Sequence, residues 1–445
     1  MFFLLCSYFL YSQNKFTVQN REHSNKIKFE FINNLVIIPV EINGVTLSFL
    51  LDTGVSKPII FNFLNVSDSL NIKHTENIFL RGLGEGESVL AKKSINNVVK
   101  VGDAIKLNQD LYAIYDANLN FSPKLGVPVH GIIGYDLFKD LIVEINYAKK
   151  FLKLSNPEYY NYKACRKCET LPLEFYNNKP YINTEVSIEN REIPVKLLID
   201  SGGSDSLWLF QNDSLGIQSH GAYFNDFLGH GLSGSVYGKR SKIDALNLKS
   251  FTLKDVNVAY PDSSSILSAR QFKNRNGSLA GNVLKRFNVV FNYQKGMLTL
   301  KKNSFFKEDF NYNKSGIELE HNGVRLVREV DNGFKKTKSV LLSDNEAINK
   351  NTINFDTRYK ISLKPSYSIV ELRDDSPASK AGLKIDDVIL AINGKPTYNF
   401  TLQKLTQLFY EEDGKKIRLK VDRAGKELNF VFNLKSPLQK KKLNN

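Results

Sequence analysis

The sequence predicts a mainly β protein with two homologous lobes and a smaller α+β domain at the C-terminal end. One observation is an internal repeat with a period of about 148 residues. A second is the alternation of apolar and polar residues between the repeated motifs, which is typical of strands and hairpins. The third is the length of 445 residues, which favours about three domains that each bury a core.

The repeat joins three pairs of motifs in the same order. The first pair is SFLLDTGVS at residues 48–56 and KLLIDSGGS at residues 196–204, which places Asp52 and Asp200 148 positions apart. Glycine clusters follow at 82–86 and at 229–234, where positive φ angles favour hairpin tips. The third pair is an apolar-apolar-Gly element that ends at Gly134 and at Gly281 and leads into a short helix and two strands. Three motifs that recur at one period indicate two copies of one lobe.

The predicted domain boundaries follow from this repeat. The N-terminal lobe covers residues 27–156, an inter-lobe linker covers 157–175, and the C-terminal lobe covers 176–303. The α+β domain covers 312–436, with a charged insertion at about 323–360. Its predicted strands and helices have the following ranges: strands 368–372, 387–392, 416–422 and 426–433, a short helix after Ser376 and a helix at about 402–410.

Two copies of an Asp-hydroxyl-Gly motif in duplicated lobes predict one shared catalytic site. A single copy is more typical of a turn after a strand than of a catalytic site. Duplication, however, lets a pseudo-twofold axis bring Asp52 and Asp200 face to face. Two carboxyl groups at close range cannot both ionise cheaply, so one keeps a proton while the other is anionic. The anion can take a proton from a water and the acid can polarise a carbonyl oxygen, with no metal, cofactor or covalent nucleophile.

The residues beside each aspartate have predicted supporting roles. Thr53 and Ser201 offer hydroxyl groups that can bond across to the opposite loop, while Gly54 and Gly202 leave room for a tight turn and for substrate backbone. Two further serines are expected to bond the outer oxygens of the carboxylates. These are Ser56 and Ser204.

These loops resemble those of a known family. DTGVS at 52–56 and DSGGS at 200–204 resemble the two active-site loops of the aspartic peptidases of the pepsin and retropepsin superfamily. IIG at 132–134 and LAG at 279–281 resemble the element that packs beneath each loop. The resemblance covers about 275 residues. It implies two closed β-barrel lobes, a cleft between them, and an endopeptidase that hydrolyses peptide bonds with a water activated by the two aspartates.

The same resemblance implies flaps that close over a substrate. Glycine-rich tips in both lobes are closer to the retropepsins, which have two flaps, than to the pepsins, which have one. The predicted flap residues are Gly82, Leu83 and Gly84 in the first lobe and Gly229, His230 and Gly231 in the second. His230 is interpreted as a solvated loop histidine rather than a pH sensor.

The C-terminal domain resembles the PDZ domains of bacteria. The resemblance rests on SPA at 376–378, AGL at 381–383, DVI at 387–389 and ING at 392–394. Members of this family add a peptide C-terminus to a sheet edge and capture its carboxylate with a backbone loop. That loop is assigned to Gly316, Ile317, Glu318 and Leu319, although Glu318 stands where glycine is often found. A C-terminal peptide is therefore an expected ligand, beside protein or peptide substrates.

The remaining composition narrows the partners and the location. The net charge of +15 is spread along the whole chain without interleaved aromatic residues, so a basic soluble surface is favoured over nucleic-acid binding. No stretch approaches the roughly 20 apolar residues of a transmembrane span.

Residues 1–12 are almost wholly apolar and predict a signal peptide, hence a periplasmic, cell-surface or secreted protein. Cys165 and Cys168 are either a small disulfide staple or two free thiols.

From the sequence alone the chain is an enzyme, a binding protein or a structural cell-surface protein without activity, and the intact aspartate motifs argue against the last of these. The first is an exported aspartic endopeptidase with a peptide-recognition domain. The second is a catalytically silent peptidase fold in which the C-terminal domain binds peptides. Silent relatives usually lose an aspartate or the hydroxyl beside it, and both loops here keep both residues, which favours the enzyme.

Overall fold

The computed structural model describes residues 14–61, 63, 65, 67–116, 119–219, 221–330 and 359–438. Strands dominate the described residues and the helices among them are short, so the chain is mainly β as predicted. The predicted signal peptide and most of the predicted insertion lie outside the described residues. Within the described ranges, no helix is both long enough and apolar enough to cross a membrane.

Short strands joined by tight turns build the N-terminal lobe. Its strands are β1 (Thr17–Val18), β2 (Ser24–Lys28), β3 (Glu30–Ile32), β4 (Leu35–Ile42), β5 (Val45–Leu51), β6 (Ile59–Ile60), β7 (His74–Leu80), β8 (Val89–Val101), β9 (Ala104–Ala113), β10 (Gly131–Ile133), β11 (Ile142–Asn146) and β12 (Phe151–Ser155). Its helices are α1 (Ser67–Leu70), α2 (Ser122–Leu125) and α3 (Tyr135–Asp140). Asn43 and Gly44 both have positive φ, at 49° and 90°, which is the turn that joins β4 to β5 in a two-residue hairpin.

The C-terminal lobe repeats this plan. Its strands are β13 (Cys168–Pro172), β14 (Glu174–Tyr176), β15 (Lys179–Ile188), β16 (Arg191–Asp200), β17 (Leu207–Leu209), β18 (Phe224–Gly231), β19 (Gly234–Leu248), β20 (Phe251–Pro261), β21 (Gly277–Ala280), β22 (Phe287–Asn292) and β23 (Met297–Lys302). Its helices are α4 (Leu267–Arg270) and α5 (Gly281–Leu284). Glu189 and Asn190, with φ of 50° and 61°, form the turn between β15 and β16.

The main sheet of each lobe closes on itself through hydrogen bonds. In the first lobe the order β9-β6-β10-β5-β4-β8 returns to β9, and in the second the order β15-β16-β21-β17-β20-β19 returns to β15. In both lobes the strand before the aspartate runs parallel to the strand of the apolar-apolar-Gly element. This arrangement is compatible with the expected barrels and gives both aspartates the same local frame.

A third sheet is shared by the two lobes. Its order is β13-β23-β22-β11-β12-β2, and β11 pairs with β22 across the boundary. Part of the segment expected as a linker is therefore a strand, because alternating side chains of β13 place Leu171 in the core opposite Leu298. One apolar cluster, from Phe16 to Phe310, runs through both lobes and this sheet.

The C-terminal domain has its own sheet and its own core. Its strands are β24 (Ile317–Val330), β25 (Tyr359–Leu372), β26 (Val388–Ile392), β27 (Lys395–Pro396), β28 (Lys416–Arg423) and β29 (Lys426–Asn433), and its helices are α6 (Pro377–Lys380) and α7 (Leu402–Gln407). The order is β24-β25-β26-β28-β29, which leaves β24 at an edge. The described ends of the predicted insertion, 323–330 and 359–360, are strand residues that extend this hairpin.

Candidate active site

Asp52 and Asp200 lie at corresponding places in the two lobes. Asp52 follows the last residue of β5 and Asp200 is the last residue of β16. The glycine of the apolar-apolar-Gly element packs directly beneath the first loop, since a Cβ on Gly134 would lie 1.9 Å from the Asp52 carbonyl oxygen. In the second lobe the Gly281 N–H donates to the Gly203 carbonyl at 2.8 Å. No residue with a side chain fits at Gly134, which explains why the motif needs glycine there.

The two aspartate loops are joined by a symmetric set of hydrogen bonds. The Thr53 N–H donates to Ser201 Oγ, and the Ser201 N–H donates to Thr53 Oγ1, both at 3.0 Å. Each hydroxyl also donates to the strand of the other lobe, from Thr53 to the Ile199 carbonyl at 2.6 Å and from Ser201 to the Leu51 carbonyl at 2.8 Å. Both side chains are fully buried, at 0% and 1% exposure. The structure thus brings together the two hydroxyl residues that the sequence singled out.

The two carboxyl groups face one small space. A Cβ on Gly54 would lie 3.0 Å from Asp52 Oδ1 and 3.6 Å from Asp200 Oδ1, and a Cβ on Gly202 would lie 2.4 Å from Asp52 Oδ2. Each carboxylate also accepts the N–H of the glycine in its own loop, at 2.6 Å for Asp52 and 3.1 Å for Asp200. Both glycines are required because a side chain would occupy the space where the carboxyl groups meet.

Burial and mutual repulsion set the protonation of this pair. Both residues keep some exposed surface, so a small molecule can reach them, but protein atoms surround them densely. Burial, and then the charge of Asp200, raise the pKa of Asp52 to about 7. Burial also raises the pKa of Asp200. The pair therefore retains a proton near neutral pH and can present an acid beside a base.

Two cations near the pair were not predicted from the sequence. Arg275 and Lys179 both lower the pKa of Asp200, which opposes the effect of burial. Arg275 is buried, where its Nε donates to the Gly277 carbonyl at 3.1 Å and one guanidinium nitrogen donates to Ser278 Oγ at 2.6 Å. Lys179 begins β15, and burial is the main cause of its lowered pKa. These cations favour the anionic form of Asp200.

Each active-site loop is also held by a turn from the opposite lobe. The Asn34 side chain donates to the Ser204 carbonyl at 2.8 Å, and Ser56 Oγ donates to the Asn177 carbonyl at 3.0 Å. The expectation that Ser56 would bond a carboxylate is therefore wrong, because its hydroxyl points to the neighbouring turn. Ser204 contributes its backbone carbonyl to this contact. The signal that could have predicted both turns is a repeated Phe-X-Asn-Asn, at 31–34 and 175–178.

The two predicted flaps meet at Ser233. The Gly82 N–H donates to Ser233 Oγ at 3.1 Å, the Gly86 N–H donates to the Ser233 carbonyl at 2.7 Å, and the Ser233 N–H donates to the Leu83 carbonyl at 3.0 Å. Both glycines approach the opposite flap so closely that a Cβ on either would lie within 2.6 Å of its atoms. The flaps of this structure are therefore closed on each other.

The register of the second flap differs from the prediction. Gly229, His230 and Gly231 belong to β18, and Gly231 pairs with Gly234, so the tip itself is residues 232–233. A β-bulge between Phe227 and Gly229 also shifts the pairing within this hairpin by one residue. Burial, and then the charge of Lys124, lower the pKa of His230 to about 4. His230 is partly buried against Phe227 rather than solvated, and it stays neutral near pH 7.

The flap tips exchange apolar side chains between the lobes. Leu83 of the first flap packs in the second lobe with Phe210 and Trp208. Leu232 of the second flap packs in the first lobe, in a cluster that also contains Leu50 and Val55 from either side of Asp52. Each flap is thereby anchored to the opposite lobe, and Leu232 lies in the same cluster as the residues on either side of Asp52.

Comparison with known families agrees with this geometry. Residues 38–137 match a family model for an aspartyl protease. Residues 368–423 match a family model for a PDZ domain. The chain therefore carries an aspartyl protease domain and a C-terminal PDZ domain. The first match contains Asp52, the first flap and Gly134, and it ends before Asp200. No sequence among the curated proteins matches this chain.

The predicted carboxylate loop of the PDZ domain is occupied by its own hydrogen bonds. The Gly316 N–H donates to Asn313 Oδ1 at 3.1 Å, and the Ile317 N–H donates to Ser315 Oγ at 3.0 Å. Glu318 and Leu319 already belong to β24, and Leu319 packs in the domain core. Burial, and then the charge of Asp226, raise the pKa of Glu318 to about 7. An acidic group beside the loop disfavours a second carboxylate there.

Within the described part of the chain, no group of three or more His, Cys, Asp or Glu residues is arranged to hold a metal ion. Cys165 and Cys168 form a disulfide at the start of β13. The staple is therefore the alternative that the structure supports, and it closes the turn that leads into the shared sheet.

Proposed function

We propose that this chain is an aspartic-type endopeptidase that hydrolyses peptide bonds with a water activated between Asp52 and Asp200. One observation carries the proposal: two enclosed carboxyl groups face the same space, and Thr53 and Ser201 lock their loops together. A turn motif without a catalytic role has no need to place a second carboxylate in the same low-dielectric space, where the charged forms are disfavoured.

Each carboxyl group has a distinct part in the proposed reaction. Arg275 and Lys179 favour the anion at Asp200, so this residue takes a proton from the attacking water. Asp52, whose pKa is raised to about 7, keeps its proton and donates a hydrogen bond to the scissile carbonyl oxygen. The water adds to the carbonyl carbon, and the proton held by Asp200 then passes to the leaving amine. The closed flaps must open to admit the peptide and close again over it.

Recognition of a peptide segment by the PDZ domain, whether the segment belongs to this chain or to another, and export from the cytoplasm belong to the same proposal. A PDZ fold binds peptides by adding them to a sheet edge, and β24 is the edge strand here. The disulfide between Cys165 and Cys168 supports export, because disulfides persist in oxidising compartments. The predicted signal peptide at residues 1–12 agrees with that location.

The test compares cleavage of a mixed peptide library by the wild type, Asp52→Asn and Asp200→Asn. We expect each substitution to reduce kcat/KM by about 100-fold or more, because the pair then loses its acid or its base. The matched control is Asp213→Asn, a change of the same kind in an exposed turn of the second lobe. Cleavage that survives both active-site changes would exclude the proposed site. A wild type that cleaves nothing, yet binds peptides, would favour the silent peptidase fold.

A further inference from the structure

The PDZ domain has a groove of the kind that receives a peptide. One side is β24, which among the described strands pairs with β25 along one edge only. The other side is α7, whose Leu402 and Leu405 are buried at the groove floor within the domain core. An unpaired edge strand beside an apolar helix is the surface on which PDZ domains hold a peptide.

A segment of the first peptidase lobe lies in this groove. The helix α2 packs against β24, and the loop that follows it packs against α7. The Gln403 side chain donates to the Leu125 carbonyl at 2.5 Å, and a Cβ on Gly126 would lie 2.9 Å from Leu402 Cβ. We call residues 121–127 the docked segment.

Charge supports the fit of the docked segment. Lys124 is partly buried at this contact, and burial is the main cause of its lowered pKa. Glu320 of β24 and Glu371 of β25 oppose that lowering, which places both carboxylates near its ammonium group. The end of the groove that holds Lys124 is therefore acidic, which suits a lysine and disfavours the carboxylate of a free C-terminus. The carboxylate loop also disfavours a free C-terminus, because Gly316 and Ile317 already donate their N–H groups to Asn313 and Ser315.

The docked segment also forms part of the peptidase cleft. Phe121 packs edge-on against Phe61 at a centroid distance of 5.3 Å. Leu125 and Val127 belong to the apolar cluster that contains Val55 of the first active-site loop and Leu232 of the second flap. The chain then runs into β10, which pairs with β5 just before Asp52. A shift of the docked segment would therefore reach the loop and the flap.

We propose that the groove between β24 and α7 is the internal binding site of residues 121–127, and that the PDZ domain thereby positions one wall of the peptidase cleft. The effect on catalysis rests on the proposed peptidase function, whereas the docking itself does not. The ligand of this PDZ domain is a turn within the same chain. The Gln403 side-chain amide and the carboxylates of Glu320 and Glu371 hold it, rather than the carboxylate loop. A segment tethered in this way has a high effective concentration at the groove and outcompetes dilute external peptides.

The docking is tested by amide hydrogen exchange on the full chain. Leu125 and Gly126 donate to the Phe121 and Ser122 carbonyl oxygens at 3.1 and 2.8 Å, so their exchange reports on the docked segment. We expect exchange at least 10-fold faster in Gln403→Ala, which loses the bond to Leu125, and in Lys124→Glu, which sets like charges against Glu320 and Glu371. The control Lys149→Glu makes the same charge change on an exposed turn and should leave both amides unchanged.

Two results of this exchange experiment would overturn the docking. One is unchanged exchange of Leu125 and Gly126 in both variants while the amides of β28 stay protected, which shows an intact PDZ core. The other is faster exchange in the wild type when a pool of decapeptides with apolar residues at a free C-terminus is added, because those peptides would then be the true occupants. Peptides that leave exchange unchanged support the internal site.

The effect on the cleft is tested by kinetics with the same variants. We expect Gln403→Ala and Lys124→Glu to raise KM about 5-fold or more with kcat within 2-fold, because the docked segment shapes the wall but does not touch the carboxyl pair. Equal KM values in both variants and the wild type would exclude the positioning role. A wild type without any cleavage would remove the proposed function while the exchange result still decides the docking.

Discussion

At the scale of single residues, the two halves of the active site are repeated but not equivalent. Lys179 follows the Asn-Asn turn of the second lobe, where the first lobe has Leu35. Lys179 lowers the pKa of both aspartates, and Arg275 acts mainly on Asp200. A symmetric pair could place its proton on either residue, whereas Arg275 biases it toward Asp52. The asymmetry of the proposed reaction would therefore originate outside the aspartate motifs.

The pH dependence of cleavage should report this bias. We expect kcat/KM to fall as the pH rises through about 7, where Asp52 loses its proton. In Lys179→Met the carboxyl pair loses a cation that lowers its pKa values, so the acidic limb of the profile should move to higher pH. Steady-state kinetics across pH 3 to 9 on one peptide measures both limbs. An acidic limb that stays in place, as in the control Lys149→Met, would show that Lys179 does not act on the pair.

The hydroxyl lock between the loops should contribute to stability as well as to geometry. We expect Ser201→Ala to lower the free energy of unfolding by about 1–3 kcal/mol, because the Thr53 N–H then lacks its acceptor in a buried site. Ser56→Ala removes an exposed hydroxyl that bonds the opposite lobe and should change the free energy by less than about 0.5 kcal/mol. Urea unfolding followed by fluorescence measures both. Equal losses in the two variants would contradict the role assigned to burial.

At the scale of secondary-structure elements, the flaps are the parts that must move. Each hairpin is held closed by backbone bonds at Ser233 and by a leucine inserted in the opposite lobe. Opening therefore removes apolar contacts from both lobes at once, and a substrate must replace them.

The leucine of the second flap should affect substrate affinity more than turnover. Leu232 is only partly buried, so we expect Leu232→Ala to weaken closure by about 1 kcal/mol, which corresponds to a KM raised roughly fivefold. Leu215→Ala, an exposed leucine of the same lobe, is the control. Steady-state kinetics on one peptide separates KM from kcat. A variant with unchanged KM would indicate that the tip contacts do not contribute to closure on substrate.

At the scale of the whole molecule, the PDZ domain is joined to the second flap by charged groups. Arg240 of β19 donates to Asp226 of β18 at 2.9 Å, and Arg373 of the PDZ domain lies 3.9 Å from the same carboxylate. The Tyr237 hydroxyl donates to Glu371 at 2.9 Å. Glu318 is enclosed beside these groups, and its pKa is raised to about 7. The ionisation of this one carboxyl group is therefore coupled to the contact between domains.

Stability should fall with rising pH because of Glu318. Its pKa is about 7 in the folded chain against an ordinary value of 4.5, so the folded state binds more protons between these values. The stabilisation is present below pH 4.5 and is lost as the pH rises through about 7, by up to about 3 kcal/mol. We expect Glu318→Gln to remove this part of the pH dependence, which urea unfolding at pH 5 and pH 8 measures. The same slope in both proteins would assign it to other groups, such as the aspartate pair.

The features that depend on local patterns and on the repeat could be predicted from the sequence. The period of the repeat predicted the two aspartate loops, the glycines beneath them and the glycine-rich hairpins. The cross-lobe turn at Asn34, the cation Arg275 and the shared sheet were not predicted, because their roles depend on contacts between residues far apart in the chain. The bulge between Phe227 and Gly229 could not be predicted, since one extra residue changes the register without changing the pattern of glycines. The occupied PDZ groove could not be predicted, because the sequence of α2 has no pattern that indicates a contact with the PDZ domain.

The pairing of β11 with β22 has a consequence for any attempt to divide the chain. A half-molecule that ended near residue 156 would leave one side of β11 unpaired, because Val143 and Ile145 would lose their strand partners Phe291 and Val289. An unpaired edge strand pairs with another exposed strand, and in a concentrated solution that strand belongs to another copy of the fragment. Fragments of this protein should therefore self-associate before they reveal anything about the isolated lobes.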